Sequence, residues 1–165
     1  LVDRFLALHQ IVNAKYTGPL VNDPQKLTRG TQVLGGIPAL TTEVKIDSDL
    51  AGIAHENQLA SLVNNKLREA GIFVGPAPTT LRLQINGFPT AEAGSYVYLV
   101  ELKLFRRMHF VTERNNKDLE IGQGWAWRNY RFGSVRTAEG TSQIQMDVQG
   151  LANNFLTDFR KSNPK

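Results

Sequence analysis

Histidine is the side chain best suited to acid–base or metal chemistry near neutral pH, and this chain contains three. His9, His55 and His109 are far apart in sequence, and none has a second ligand at metal-site spacing. The residues after His55 lack the second histidine, one helical turn later, that a zinc-protease helix requires. We therefore interpret His55 as a surface residue in the first turn of a helix, and His109 as a solvated side chain.

Two other patterns are formally compatible with ligand binding. Asp47 and Asp49 could offer oxygens to a metal, but the rest of a calcium loop is missing, so capping of a helix is the favoured interpretation. Gly122 and Gly124 precede a predicted strand rather than a helix, and thus lack the helix N-terminus that binds pyrophosphate. We interpret these glycines as relief for the neighbouring tryptophans or as a bulge. The sequence predicts no catalytic residue, no metal site and no cofactor, and hence no enzyme.

One set of residues supports a sharper hypothesis, because it combines cations with aromatic rings on one predicted sheet face. Its members are Arg82, Lys103, Arg107, Arg128, Tyr130, Arg131 and Phe132. Basic residues interleaved with aromatics on an open sheet are how some domains stack single-stranded bases. Arg131-Phe132-Gly133 is only a fragment of the RNA-recognition signature, so a surface facing protein or solvent is the favoured interpretation.

Composition sets the outer limits of what this chain can do. Its 165 residues suffice for one domain with a proper core. Cysteine is absent, which excludes disulfides and thiolate chemistry but leaves the redox compartment open. Lys and Arg total 19 against 15 Asp and Glu, a mild excess that indicates a solvated surface more than a nucleic-acid or membrane patch.

The first 40 residues are predicted to form an N-terminal helix and an irregular arm, distinct from a domain at 41–165. Leu1, Phe5 and Leu8 recur at helical spacing, which predicts a packing helix or the end of an export signal or anchor. A chain that starts with leucine is expected to be processed or partial. Gly-Pro, Asp-Pro, Gly-Gly and Ile-Pro pairs then mark turns. The apolar residues of the arm are a candidate interaction surface, unless the arm wraps its own domain; they include Leu20, Val33, Leu34 and Ile37.

The remainder predicts an α+β fold in the order β-α-β-β-β-α, with an antiparallel sheet of about four strands packed on two helices. The predicted elements are strand Thr41–Ile46, helix Ala54–Ala70, strands Thr80–Phe88 and Tyr96–Val111, a third long strand, and a helix from Thr141 or Ser142 to Lys161. The core is expected to contain Leu59, Leu62, Val63, Leu81, Leu83, Ile85, Val100, Leu102, Val148, Leu151 and Phe155.

A turn at Asn115-Asn116 would fix the register of the last two strands. It places Leu104 opposite Trp127, Phe110 opposite Ile121, Glu101 opposite Tyr130 and Leu99 opposite Phe132. It also sets Lys103 against Arg128, an unfavourable pairing of like charges. A longer and looser loop is the alternative.

Several of these segments occur in an order that resembles a known class of proteins. They are Leu67–Ile72, Thr80–Asn86, Tyr96–Leu102, Trp125 and Asn154–Pro164. Together they resemble uncharacterised bacterial secreted proteins of periplasmic or lipoprotein type and, more distantly, small domains of envelope accessory proteins. The resemblance implies export to the periplasm or the extracellular space and no established catalysis. It does not extend to lipid anchoring, because the chain has no lipobox cysteine.

The resulting hypothesis is a non-enzymatic exported domain that binds another protein or serves as an accessory subunit of an envelope complex. The second hypothesis is a module that binds a small ligand or single-stranded nucleic acid on the basic aromatic face. The third is a hydrolase or isomerase with a dispersed site. A protein partner is expected, nucleic acid is not, and peripheral membrane association stays open, with no transmembrane segment predicted in these residues.

Overall fold

The computed structural model describes residues 34–111 and 119–164, with side chains at 34–106 and 124–164. Five strands form one sheet in the order β2-β1-β3-β4-β5. The elements are β1 Ala39–Ile46, a 3-10 turn Ser48–Leu50, α1 Glu56–Glu69, β2 Phe73–Val74, β3 Thr80–Pro89, β4 Ser95–Val111, β5 Leu119–Arg136 and α2 Thr137–Ser162. The predicted α+β class and the order of the predicted elements are confirmed.

The predicted sheet of about four antiparallel strands is wrong in two respects, because the sheet is mixed and has a fifth strand. β1 is parallel to both β2 and β3, while β3, β4 and β5 are antiparallel. The period-two pattern assigns each strand its faces but says nothing about its direction. Direction follows from the connection: α1 returns the chain to the end of the sheet where β1 started, so the next strands run parallel to β1. β2 is only two residues long, too short to show a period.

The ends of α1 show which local signals were informative. Gly71 has φ of 79°, in the left-handed region that the prediction required after the helix. The N–H of Ile72 donates to the carbonyl of Leu67 at 3.0 Å and that of Gly71 to Arg68 at 2.9 Å, which is the Schellman pattern. At the other end, Asp47 caps the 3-10 turn and not the helix, so α1 begins two residues later than predicted.

β4 and β5 form a long antiparallel hairpin of 17 and 18 residues. The predicted pairs of Leu104 with Trp127 and of Lys103 with Arg128 are confirmed, as are Glu101 with Tyr130 and Leu99 with Phe132. A bulge then shifts the register between Leu104 and Phe105. Phe110 therefore faces Glu120 and not Ile121, because the extra residue on β5 displaces every later pair by one. The predicted Asn-Asn turn lies outside the described residues.

The bulge also separates the two tryptophans. Without it, Trp125 and Trp127 would share a sheet face, since side chains alternate with a period of two. With it, Trp125 pairs with Phe105 and is 50% exposed, whereas Trp127 packs edge-on against Phe155 of α2 at a centroid distance of 5.2 Å. One tryptophan thus faces solvent and the other belongs to the interface with the helix.

The core lies between one face of the sheet and the two helices. All the predicted core residues are buried except Leu62, which is half-buried at its edge. Gly140 of α2 allows close contact with Ile53, since a Cβ there would come within 3.0 Å of that side chain. α2 begins at Thr137, directly after β5 and earlier than predicted, because its first turn lacks the apolar residues from which the helix was recognised.

Leu34 and Ile37, two of the candidate surface residues of the arm, are buried in this core, 0% and 5% exposed. Leu40 is buried with them. The segment is held by Asn163, which donates to the carbonyl of Leu34 at 3.0 Å and accepts from the N–H of Gly36 at 2.9 Å. The interaction role predicted for Leu34 and Ile37 is therefore wrong, while Leu20 and Val33 lie outside the described residues.

The helix-facing side of β4 offers a direct test of this assignment. Leu102→Ala removes a side chain that is 1% exposed and should lower the free energy of unfolding by about 2–5 kcal/mol. Leu99→Ala, on the opposite face of the same strand, is the matched control and should cost clearly less, because Leu99 is only half-buried. Urea denaturation followed by circular dichroism measures both, and equal losses would contradict the assigned faces.

Candidate interaction surface

Both helices lie on the same side of the sheet, so no helix or strand of the described residues covers the other side. We call this other side the open face. Strand register assigns to it, row by row, Phe88 and Val97; Leu99 and Phe132; Lys45, Gln84, Glu101 and Tyr130; Glu43, Arg82, Lys103 and Arg128; and Phe105 with Trp125. Most of the candidate surface residues predicted from the sequence are therefore together here.

The centre of the open face is an ion cluster formed by Glu101, Lys103 and Arg128, here called the Glu101 cluster. Glu101 accepts from Lys103 Nζ at 2.7 Å and from Arg128 Nε at 2.9 Å, and it is only 4% exposed. Burial acts to raise the pKa of Glu101, but hydrogen bonds and charge from Lys103 and Arg128 outweigh it and lower that pKa below its usual value. The like-charge pair expected from the register is thus neutralised by a carboxylate between the two cations.

Arg82, a further cation of the open face, is also paired. Arg82 donates from Nε to Glu43 at 2.8 Å, and its guanidinium lies 4.6 Å from the centroid of the Phe105 ring. Arg128 similarly lies 5.5 Å from the Tyr130 ring. Such cation–π contacts restrain the arginine side chains beside the rings. Glu43 and Glu101 were not predicted from the sequence as the partners of these cations. Glu101 could have been found, because it stands two residues before Lys103 and so shares its face.

An exposed apolar strip lies beside the Glu101 cluster. We call it the aromatic band, and it consists of Phe88, Val97, Leu99, Tyr130 and Phe132. The three rings are 48%, 59% and 63% exposed for Phe88, Tyr130 and Phe132. Single exposed apolar residues are common, but three exposed rings on one face mark a surface suited to contact with another molecule.

Arg131 does not belong to the open face, contrary to the sequence prediction. Its partner on β4 is Val100, a core residue, so its side chain emerges on the helix side. There its Nη1 lies 3.1 Å from Oδ1 of Asp147 on α2. Gly150 makes room for it, since a Cβ at that position would come within 2.6 Å of the guanidinium. Neighbouring residues of a strand point to opposite faces, so Arg131 could not share a face with Arg128, Tyr130 and Phe132.

Asp147 and Tyr98 complete a buried polar network under α2. The Tyr98 hydroxyl donates to Oδ2 of Asp147 at 2.6 Å. Burial, followed by the hydrogen bond to Asp147 and its negative charge, raises the pKa of Tyr98 well above its usual value. The Tyr98 ring covers Gly133, where a Cβ would meet the hydroxyl at 2.6 Å. The network fastens α2 to β4 and β5, and the sequence signal was an aspartate amid the apolar stripe of the helix.

The remaining predicted residues contribute nothing to the described surface. Arg107, His9 and His109 are not among the residues whose side chains the structure describes. His55 is exposed at the start of α1, as predicted. Within 34–111 and 119–164, no group of three or more potential metal ligands is present. The helices described there are all too short or too polar to cross a membrane.

Comparison with known proteins gives no family. No protein-family model and no curated protein matches the chain. Solved structures that match include a minor lipoprotein from Acinetobacter baumannii, which is 10% identical with a TM-score of 0.39 and 77% of this chain and 93% of that chain covered.

Two further solved structures match at a comparable level. The PelC dodecamer from Paraburkholderia phytofirmans is 13% identical, with a TM-score of 0.41 and coverages of 76% and 88%. A DUF330 protein from Xanthomonas campestris is 10% identical, with a TM-score of 0.42 and coverages of 78% and 88%. Similarity at this level says nothing about function, partner or location.

The lowered pKa of Glu101 predicts a pH-dependent part of the stability. Because the pKa is lower in the folded than in the unfolded chain, this contribution is complete above the unfolded value of about 4.3 and is lost as pH falls through the folded pKa. Glu101→Gln should lower the free energy of unfolding by about 1–3 kcal/mol at pH 7. The difference from the parent protein should shrink as the pH is lowered below about 4.

Glu92→Gln is the matched control, since Glu92 pairs with Arg136 at 3.0 Å but both side chains are exposed. It should change the stability by less than about 1 kcal/mol. Denaturant unfolding between neutral pH and pH 3 measures all three proteins. A constant difference between the parent and Glu101→Gln over this range would contradict the assignment of the charge to Glu101.

Proposed function

We propose that this protein is a non-enzymatic domain that binds another protein on its open face, as an accessory or structural subunit of an envelope complex. The observation that carries the proposal is the aromatic band, which lies on the open face beside the Glu101 cluster. An apolar centre flanked by fixed charges is the usual composition of a protein-binding surface. The rings would supply the buried area, and the charges would set orientation and partner choice.

The ionisable groups favour binding over catalysis. General acid–base catalysis works best when the catalytic pKa lies near the working pH. Among the described residues, two side chains have clearly shifted pKa values, and both shifts move the pKa away from neutral pH. The pKa of Glu101 is lowered and that of Tyr98 is raised. Glu101 therefore stays ionised and Tyr98 stays protonated near neutrality. Both have roles in stability that account for their environments without a reaction.

The cation pairing favours a protein partner over single-stranded nucleic acid. Arg82 over Phe105 has the geometry of a base-stacking platform, which supports nucleic acid as the second candidate. However, Arg82 is bound to Glu43, and both Lys103 and Arg128 are bound to Glu101. A phosphate backbone carries a negative charge at every nucleotide, so across the centre of this face it would have to displace these carboxylates or lie beside their negative charge, which costs electrostatic energy. A partner that leaves the pairs intact avoids this cost.

Envelope location is a separate part of the proposal and rests on the resemblance of the segment order to bacterial secreted proteins. Cell fractionation of the native host tests it. The protein should appear in the periplasmic or membrane-associated fraction, as followed by an antibody against the chain. Recovery in the cytoplasmic fraction together with a cytoplasmic marker would contradict export but leave the binding surface untouched.

Site-specific photo-crosslinking tests the binding surface itself. A photoreactive amino acid at Phe132, 63% exposed on the open face, should give a discrete crosslinked product with a protein in native cells. The matched control is Met146, which is 56% exposed on α2 and should give none. Mass spectrometry identifies the product. Adducts from Met146 alone would contradict the proposed face, and adducts of nucleic acid at Phe132 would favour the second candidate.

A further inference from the structure

We propose that the free edge of β5 receives an extended acidic segment of the partner protein, which adds to the sheet as a sixth strand. This inference rests on the proposed function, because it states how and with what chemistry the partner binds. β5 is the last strand of the sheet and has one strand neighbour, β4, among the described residues. Its other edge presents backbone N–H and C=O groups, which are a template for strand addition. One of the N–H groups, that of Tyr130, donates to Asn129 Oδ1 at 2.8 Å, and this local bond would give way to the added strand.

The two edges of the sheet are protected to very different degrees. The opposite edge ends in β2, only two residues long, and continues into Gly75-Pro76-Ala77-Pro78. This segment binds β1 through Gly75 N–H to the Leu40 carbonyl at 3.0 Å and Ala77 N–H to Thr41 Oγ1 at 2.8 Å. Short strands and prolines are the devices that prevent unwanted pairing at an edge. β5 has neither, with 18 residues and no proline.

The chemistry of the added strand follows from the charge of β5. From Gly124 to Arg136 the strand contains Arg128, Arg131 and Arg136 and no acidic residue. The three side chains are 38%, 46% and 74% exposed. The ion pairs engage only part of each guanidinium: Arg128 uses Nε and Nη2, Arg131 uses Nη1 and Arg136 uses Nη2. Because a guanidinium carries five N–H groups, each can still bind a second carboxylate.

The same charges argue against a second copy of this chain as the occupant. Two β5 strands paired edge to edge would bring together residues 124–136 of both copies, which contain arginines and no acid. Like charges across a strand pair are destabilising. Pairing with the opposite edge of a second copy is limited to the two residues of β2. The net charge of +4 for the whole chain likewise favours an acidic partner.

The positions of the arginines define the pattern that such a strand should have. Arg128 and Arg136 have the same parity as Tyr130 and Phe132, on the open face, while Arg131 lies on the helix face. An antiparallel strand added opposite 128–136 would therefore carry acids at both ends of one face, with apolar residues between them on that face. On its other face it would carry an acid at the position opposite Arg131. Main-chain bonds would supply affinity, and the alternating side chains would supply specificity.

A synthetic peptide with this pattern, Glu-Thr-Val-Thr-Val-Glu-Val-Thr-Glu, tests the inference on the full chain. Titration followed by amide NMR should shift β5 resonances and slow hydrogen exchange at alternate β5 amides, namely those that point outward. The peptide with glutamine at all three glutamates is the matched probe. It should bind about tenfold more weakly at low salt, and the difference should shrink at high salt.

Variants of the protein distinguish binding at the β5 edge from attraction by the net charge of the protein. Arg136→Glu should weaken binding of the glutamate peptide by about tenfold. Arg68→Glu makes the same change in net charge on α1, which packs on β1 and β2 and not on β5, and should leave binding unchanged. Equal effects of the two variants would overturn the inference, since attraction would then come from the overall charge.

Other outcomes assign the edge to a different occupant and also overturn the inference. Slow exchange of the outward β5 amides other than Tyr130, which already donates to Asn129, would mean that the chain covers its own edge if it occurs without peptide in a protein that light scattering shows to be a monomer. The same protection in a concentration-dependent dimer would mean that a second copy does so. If photo-crosslinking at Phe132 succeeds while the peptide leaves β5 unaffected, strand addition is wrong and the proposed function stands. If both fail, the proposed function itself fails.

Discussion

The structure depends on one constraint: the sheet buries a single face. α1 and α2 both pack on the side that carries Leu83, Val100 and Leu102, and the chain as described provides nothing for the other side. A face that stays in water has to be stabilised by its own side chains. Here that is achieved by ion pairs and by arginines lying on aromatic rings, which are compatible with solvent and rigid enough to present a defined surface.

A polar cluster lies on each face of the sheet, and the two clusters stabilise different parts of the fold. On the open face, the Glu101 cluster makes the pairing of Lys103 with Arg128 possible and so holds the β4–β5 register. On the helix face, Tyr98, Asp147 and Arg131 join both strands to α2, together with a hydrogen bond from Trp127 Nε1 to Asp158 at 3.1 Å. β5 is thus anchored on one edge and one face, which leaves its outer edge and the open face as the surfaces for binding.

Much of the fold could be predicted from period and turn chemistry, and the failures have physical causes. Alternation placed β3 and β4 within a residue of their bounds, and Gly71 correctly ended α1. Alternation carries no information about strand direction, so the parallel pairing of β1 follows only from the helical connection between β1 and β3. Leu34 and Ile37 lie in a turn-rich segment without a period, so their burial left no pattern. Arg131 follows Tyr130 in sequence but lies on the other face, because strand side chains alternate. Asp147 was not predicted to be a buried partner, although an aspartate amid the apolar stripe of the helix is a signal for one.

Hydroxyl-radical footprinting tests the central claim, that the open face is a free surface which a protein partner covers. In the isolated protein, Phe88, Tyr130 and Phe132 should oxidise readily, as expected for rings that are 48–63% exposed. In the native complex these residues should be protected, while the exposed Met146 on α2 keeps its oxidation rate. Slow oxidation of the three rings in the isolated protein, or protection of Met146 alone in the complex, would contradict the account.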